Sequence, residues 1–187
     1  MTTFVFCLEE PSAREMLKGV LPRMLPEFID VVYLVFEGKQ DLEKQLERRL
    51  KGWMRPDSCF VVMRDQDSGN CVSIKEKLSE LCCRAGKPEA VVRIACRELE
   101  SFYLGDFVAV EKGLRLSGLV KREAGKSKFR DPDRLGNPSE ELIKVTRKHY
   151  QKVSGSRAIG PHLSLEDNRS TSFNALVRGI TRLSAQT

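Results

Sequence analysis

Short apolar runs alternate with amphipathic stretches along the first hundred residues of this 187-residue chain. Phe4-Val5-Phe6-Cys7-Leu8 predicts a strand ending at Glu9-Glu10-Pro11-Ser12, and Ala13 to Leu25 then carries apolar residues at helical spacing. The unit repeats. Val31 to Phe36 reads as a second strand, stopped by Glu37-Gly38-Lys39, and the helical stretch over 41–51 places leucine at 42, 46 and 50. Cys59 to Met63 and Ala90 to Cys96 supply two more strands around a helix over 72–83, whose apolar positions are 74, 78, 81 and 82. Near-continuous apolar strands separated by amphipathic helices predict an α/β fold. Its mostly parallel sheet is covered by helices on both faces, because each parallel crossover lays a helix over the sheet.

The pattern changes after residue 112. Residues 113–138 are rich in Gly, Pro, Lys and Arg with little periodicity, which reads as a long loop with short helical pieces. A helix is expected from Ser139-Glu140-Glu141 with Ser139 as its cap, and a closing helix over 172–183 with apolar residues at 173, 176, 177 and 180. The expected organisation is a core over 1–112 and a basic, loop-rich and helical extension over 113–187 packed on it. No run of about 18 apolar residues occurs, and Met1-Thr2-Thr3 leads into the first strand without a basic segment. Neither a membrane span nor a signal peptide is expected, and the chain reads as cytoplasmic.

Charge sharpens this picture. The formal net charge is +6, yet residues 115–157 alone hold twelve Lys/Arg against five acids. A basic stretch of that kind meets phosphates, with Lys128, Arg130, Lys152 and Arg157 as candidate nucleic-acid contacts, although a solvated basic face would use the same residues. The six cysteines contain no Cys-x-x-Cys and fall mainly within apolar elements, so they read as buried reduced thiols. His149 and His162 stand apart from them and offer no zinc pattern.

The candidate chemistry lies in Phe60-Val61-Val62-Met63-Arg64-Asp65-Gln66-Asp67-Ser68-Gly69, an apolar run ending in Asp-x-Asp-x-Gly before a predicted helix. A strand that delivers carboxylates to its C-terminal edge presents them in the crevice where open α/β sheets bind ligands. Asp65 and Asp67 can close on a hard cation, Mg²⁺ or Mn²⁺, held by carboxylates plus water or substrate phosphate. The same letters also make an ordinary strand-to-helix turn. In a parallel sheet the strand ends bearing Glu9, Asp65, Asp67 and Glu98 or Glu100 open at one edge, so these acids are the candidate metal ligands. Clustered carboxylates repel unless a cation compensates them.

A strand ending in Glu followed by a later strand ending in Asp-x-Asp resembles the TOPRIM domain of topoisomerases, primases and the overcoming-lysogenization-defect nucleases. The chain as a whole resembles a TOPRIM-like domain-of-unknown-function family that includes RloG-type proteins of restriction and phage-defence loci. The matching segments are Phe6 to Ser12, Phe36 to Leu42, Arg64 to Gly69, Arg97 to Asp106, Lys128 to Pro132, and Tyr150 to Val153 through Arg169 to Phe173. This resemblance implies a TOPRIM-like sheet and a Mg²⁺-dependent phosphodiesterase acting on DNA or RNA, with Glu9, Asp65 and Asp67 as catalytic, metal-holding residues. Two departures stand out. Glu10 occupies the position where many TOPRIM proteins have Gly, and Ala13 replaces the acid that the nuclease branch adds four residues after its glutamate. A catalytically degenerate module that binds nucleic acid or docks on a partner is the second reading, with Glu98 or Glu100 able to supply the missing ligand in the first. Ala124-Gly125-Lys126-Ser127 resembles the end of a phosphate-binding loop, but Val120 stands where the first Gly belongs, so the chain is not expected to hydrolyse ATP by itself. The resemblance therefore implies a separate partner ATPase encoded nearby.

Overall fold

The structure is a computed structural model that describes residues 2–186. Four strands, β1 (Thr3–Leu8), β2 (Asp30–Val35), β3 (Ser58–Asp65) and β4 (Val91–Ala95), form one all-parallel sheet in the order β2-β1-β3-β4. The crossovers are α1 (Pro11–Val20), α2 (Lys39–Lys51) and α3 (Cys71–Arg84). Six further helices follow: α4 (Glu100–Leu104), α5 (Phe107–Gly113), α6 (Leu119–Glu123), α7 (Pro138–Val145), α8 (Lys152–Ile159) and α9 (Thr171–Ser184). The fold is α/β with a helical C-terminal part, as the alternation of apolar and amphipathic segments predicts.

Side chains leave a strand on alternate faces, and here the two faces build separate cores. Phe4, Phe6, Leu8, Val61 and Met63 pack with α1 and with apolar residues from α4 through α9, including Phe102, Phe129, Leu142 and Phe173. On the opposite face Val5, Cys7, Phe60 and Val62 meet Leu42, Leu46 and Leu50 of α2 and Leu78 and Leu81 of α3. The helices after residue 112 therefore complete the core on the α1 face.

Differences from the expected elements have local causes. Pro11 sits at the first turn of α1, where its missing N–H costs no hydrogen bond, and a short 3₁₀ turn over Leu21–Arg23 replaces the last predicted turn. The α7 helix begins at Pro138, and Ser139 does not cap it; instead the Ser139 N–H donates to Glu98 Oε2 at 2.7 Å. Ser170 caps α9 by accepting from the Phe173 N–H at 3.1 Å. Helix α8 has no clear sequence signature, because Ser154-Gly155-Ser156 interrupts its periodicity. The glycines there are positional. A Cβ on Gly155 would stand 2.5 Å from the Tyr150 ring, and one on Gly160 would stand 2.5 Å from the Met16 carbonyl oxygen, so α8 meets that ring, and its flank meets α1, more closely than any side chain would permit. Cys7 and Cys82 are buried and Cys59, Cys71 and Cys96 partly so, while Cys83 is exposed; all six are free thiols. No helix among the described residues is long and apolar enough to cross a membrane.

Candidate active site

The strand order places a switch point between β1 and β3. The first crossover carries the chain from β1 to β2 on one side, and β3 returns on the other, so the connections leaving the C-terminal ends of β1 and β3 diverge and open a crevice. Glu9 and Asp65 lie at that crevice. The Glu9 N–H donates to the Met63 carbonyl at 3.3 Å, continuing the β1–β3 ladder by one residue, and the Asp65 N–H donates to Glu9 Oε2 at 2.9 Å.

Behind these two stands a third acid from α4. Glu100 is wholly buried; its Oε1 accepts from the Tyr150 hydroxyl at 2.8 Å, and its Oε2 has no partner. The Tyr103 hydroxyl is also buried without a partner, its ring 5.9 Å from that of Tyr150. Asp65 is only 7 % exposed, and its carboxylate receives no hydrogen bond from another described residue. Burial, followed by the charges of Glu10, Glu100 and Glu9, pushes the Asp65 carboxyl well above the usual carboxylate range. Burial likewise raises Glu9, against the opposing pull of the Asp65 N–H and Arg64, and raises Glu100 against the Tyr150 hydrogen bond. Lys152 brings positive charge to the cluster. Its Nζ lies 2.6 Å from Glu10 Oε2, and although burial works against its charged form, Glu10, Glu100 and Asp65 together raise its pKa and hold it as an ammonium. The Ser12 hydroxyl fixes the other Glu10 oxygen.

A layer of cations borders the acids on the α2 side. Arg64, itself buried, donates from Nε to the Asp65 carbonyl at 2.9 Å and from Nη1 to Glu43 at 2.5 Å, and lies 3.9 Å from Glu9 and 4.0 Å from Asp67. Asp67 sits past the end of β3 in a left-handed conformation, φ 54°, with its carboxylate 2.6 Å from Lys39 Nζ. Its N–H donates to the carbonyl of Arg97, which also has a positive φ of 63°. Two non-glycine residues in this region cost on the order of 1 kcal/mol or more each, and such strain persists where surrounding structure fixes it, commonly beside functional sites.

Of the sequence-predicted ligands, Glu9, Asp65 and Glu100 converge. Asp67 faces Lys39, and Glu98 is occupied by the start of α7. The candidate nucleic-acid contacts divide. Lys152 belongs to the acidic cluster, Arg157 pairs with Glu15 at 2.6 Å, and Lys128 pairs with Glu141 at 2.6 Å and lies over the Phe129 ring. Arg130 is exposed and has no ion-pair partner among the described residues. Sequence reasoning placed neither Glu10 nor Arg64 in the site and did not join Tyr150 to its acids. Only Tyr150 carries a recognisable signal, an aromatic residue in a polar stretch, and even that does not reveal Glu100 as its partner. In the arrangement described, no group of three or more His, Cys, Asp or Glu side chains among the described residues is set to hold a metal ion.

Glu15 anchors the site from below, because its buried carboxylate ties α1 to Arg157 of α8 as well as to Lys18 and Arg14. The Arg157 hydrogen bond, aided by the other two cations, lowers its pKa to about 2. A folded pKa below the unfolded value contributes stability that is fully present above the unfolded pKa of about 4.3 and is lost as pH falls towards 2. Because the three cations are 37 %, 51 % and 65 % exposed, solvent screening should hold the contribution to about 1 kcal/mol. Denaturant melts between pH 5 and pH 2 should show Glu15→Gln with a shallower acid loss than the parent; parallel curves would contradict this.

Comparison with known proteins places the chain in one family. The model of the family described as Domain of unknown function (DUF4276) matches residues 8–181, and the chain belongs to that family. No curated protein and no solved structure matches it.

Proposed function

We propose that this member of the DUF4276 family is a metal-dependent phosphodiesterase acting on nucleic acid, of TOPRIM-like type. The observation that carries this reading is the carboxylate cluster at the switch point, which Lys152 and Arg64 offset only in part. The Oε2 of Glu100 is buried without a partner, and Asp65, with little exposed surface and no hydrogen bond to its carboxylate among the described residues, stands with it beside Glu9 and Glu10. Taking such groups out of water without partners is costly, so a site that retains them is expected to recover the cost by binding a cation. All the available donors are hard oxygens, which suits Mg²⁺ or Mn²⁺. Asp65, Glu9 and Glu100 would hold the ion, with side-chain rotation needed to bring the donors together. When bound, the ion would stabilise charge on the phosphoryl oxygens and acidify a water. Lys152 is placed to neutralise a phosphate oxygen. Glu9, only partly buried at the crevice, would accept the proton from water as its oxygen attacks phosphorus, and return it to the departing alkoxide as the phosphorus–oxygen bond breaks. The test is nicking of plasmid DNA and cleavage of RNA with Mg²⁺, with Mn²⁺ and with EDTA. Cleavage that EDTA abolishes supports the reading, and none on any nucleic acid with either metal contradicts it.

A second reading rests on Lys152 and Lys39, whose ammonium groups already pair with Glu10 and Asp67. A site neutralised by its own lysines describes a degenerate module that binds nucleic acid, or docks on a partner ATPase, without cutting. Under it, EDTA leaves nucleic-acid binding intact and neither metal produces cleavage.

A further inference from the structure

On the far side of β4 from the acidic cluster lies a groove of about 840 Å³, bounded by α3, β4, the segment over residues 131–134 and α9. Five cations line it: Lys75, Arg93, Arg134, Arg178 and Arg182. Only two acids do, Asp131 and Asp133, and Asp133 is committed to the start of α9, where its two oxygens accept from the Ser170 hydroxyl and the Ser172 N–H at 2.7 Å each. Asp131 lies 3.8 Å from Arg134. Arg93, Lys75, Arg178 and Arg182 have no carboxylate partner among the described residues.

Arg93 is the most committed of these groups. It projects from the middle of β4, with Nε donating to the Ala175 carbonyl at 2.9 Å and Nη1 to the Val92 carbonyl at 2.8 Å. Its guanidinium lies so close to α9 that a Cβ on Gly179 would stand 2.7 Å from Nη2. Burial and the like charges of Arg182 and Arg178 both disfavour its charged form. Three arginines held together without an acid repel one another, an arrangement that an incoming anion would relieve. Arg178 and Arg182, one helical turn apart on α9, are both exposed to receive it.

We propose that this groove binds the phosphate backbone of a nucleic acid. The cations are spread along four elements rather than converging on one point, which suits a polyanion better than a single small anion. No aromatic residue lines the groove, so recognition through phosphates is favoured over base stacking, and binding should depend little on sequence. The groove also reaches the chemistry. Cys96 in its wall follows Ala95, the ladder partner of Asp65, so a backbone lying in it would pass beside the carboxylate edge. The inference deepens the phosphodiesterase reading by naming where its substrate lies, yet it can fail independently.

The test is fluorescence anisotropy with a labelled 20-base-pair DNA duplex in EDTA over a range of salt, so that no cleavage is required. Arg178→Ala/Arg182→Ala should lower affinity at least tenfold and reduce the log–log salt slope by about two, one per lost phosphate contact. The control Arg48→Ala/Arg49→Ala removes the same charge from exposed positions on α2 and should change neither quantity. Metal-dependent cleavage is assayed separately on the parent, so binding in EDTA without any cleavage still supports the groove and separates its failure from failure of catalysis. Unchanged affinity and slope in the α9 variant, an equal loss in the α2 variant, or polyglutamate binding as tightly as DNA would overturn the assignment.

Discussion

Asp65→Asn is expected to reduce metal-dependent cleavage by about 10²- to 10⁴-fold, the usual range for removing a group that acts directly on the reacting centre. Asparagine keeps the size of the side chain and removes its charge. In the crevice that charge faces Glu9, Glu10 and Glu100, with Lys152 opposing them. The backbone N–H of residue 65, which orients Glu9, is untouched by the change. Initial rates of plasmid nicking by parent and variant, measured at equal fold content by circular dichroism, check the prediction. Asp67→Asn should be milder, because its carboxylate faces Lys39 at 2.6 Å and lies outside the buried cluster. Equal losses in the two variants would mean that the turn, rather than the crevice, carries the chemistry.

Phe173→Ala is expected to destabilise the fold by about 3 to 5 kcal/mol, the range seen when a large buried aromatic side chain is truncated. Phe173 has no exposed surface and its ring centroid lies 5.2 Å from that of Phe102 in α4. Residues after 112 share one core with β1 and β3, so the damage should spread from α9 to the sheet. Urea denaturation followed by circular dichroism and by the fluorescence of Trp53, which lies at the end of α2 on the opposite face, should give coincident, lowered midpoints. A midpoint close to that of the parent would show that α9 is a dispensable appendage.

The parallel sheet was legible because each strand is a near-continuous apolar run, broken within β4 by Arg93, and each crossover helix repeats its apolar residues at helical spacing. The C-terminal helices were harder to read. Gly155 and Gly160 sit in or beside α8 where backbone approaches a ring or another helix, so residues that lower helix propensity are required by packing. In the site, Glu9 and Asp65 could be placed from strand ends, because strand order alone decides which ends meet. Glu10 and Lys152 could not, since their pairing joins residues 142 apart across α1 and α8, a contact that no local spacing encodes. The basic window was visible as composition, but composition does not say which cations are already neutralised. Lys128, Lys152 and Arg157 are in ion pairs, whereas Arg178 and Arg182, outside that window, have none among the described residues.

The central claim is that the buried carboxylates at the β1–β3 switch point form a cation site, and thermal unfolding at neutral pH measures this directly. Mn²⁺ or Mg²⁺ at about a hundred times its dissociation constant should stabilise the parent by about 2.7 kcal/mol, raising its melting temperature by roughly 5 to 10 °C for a chain of this length. Without metal, Asp65→Asn should melt at or above the parent temperature, because one member of a mutually repelling buried set has been neutralised. With metal, it should gain little. A parent that does not respond to either ion, or an Asp65→Asn variant that responds as strongly as the parent, would contradict the claim.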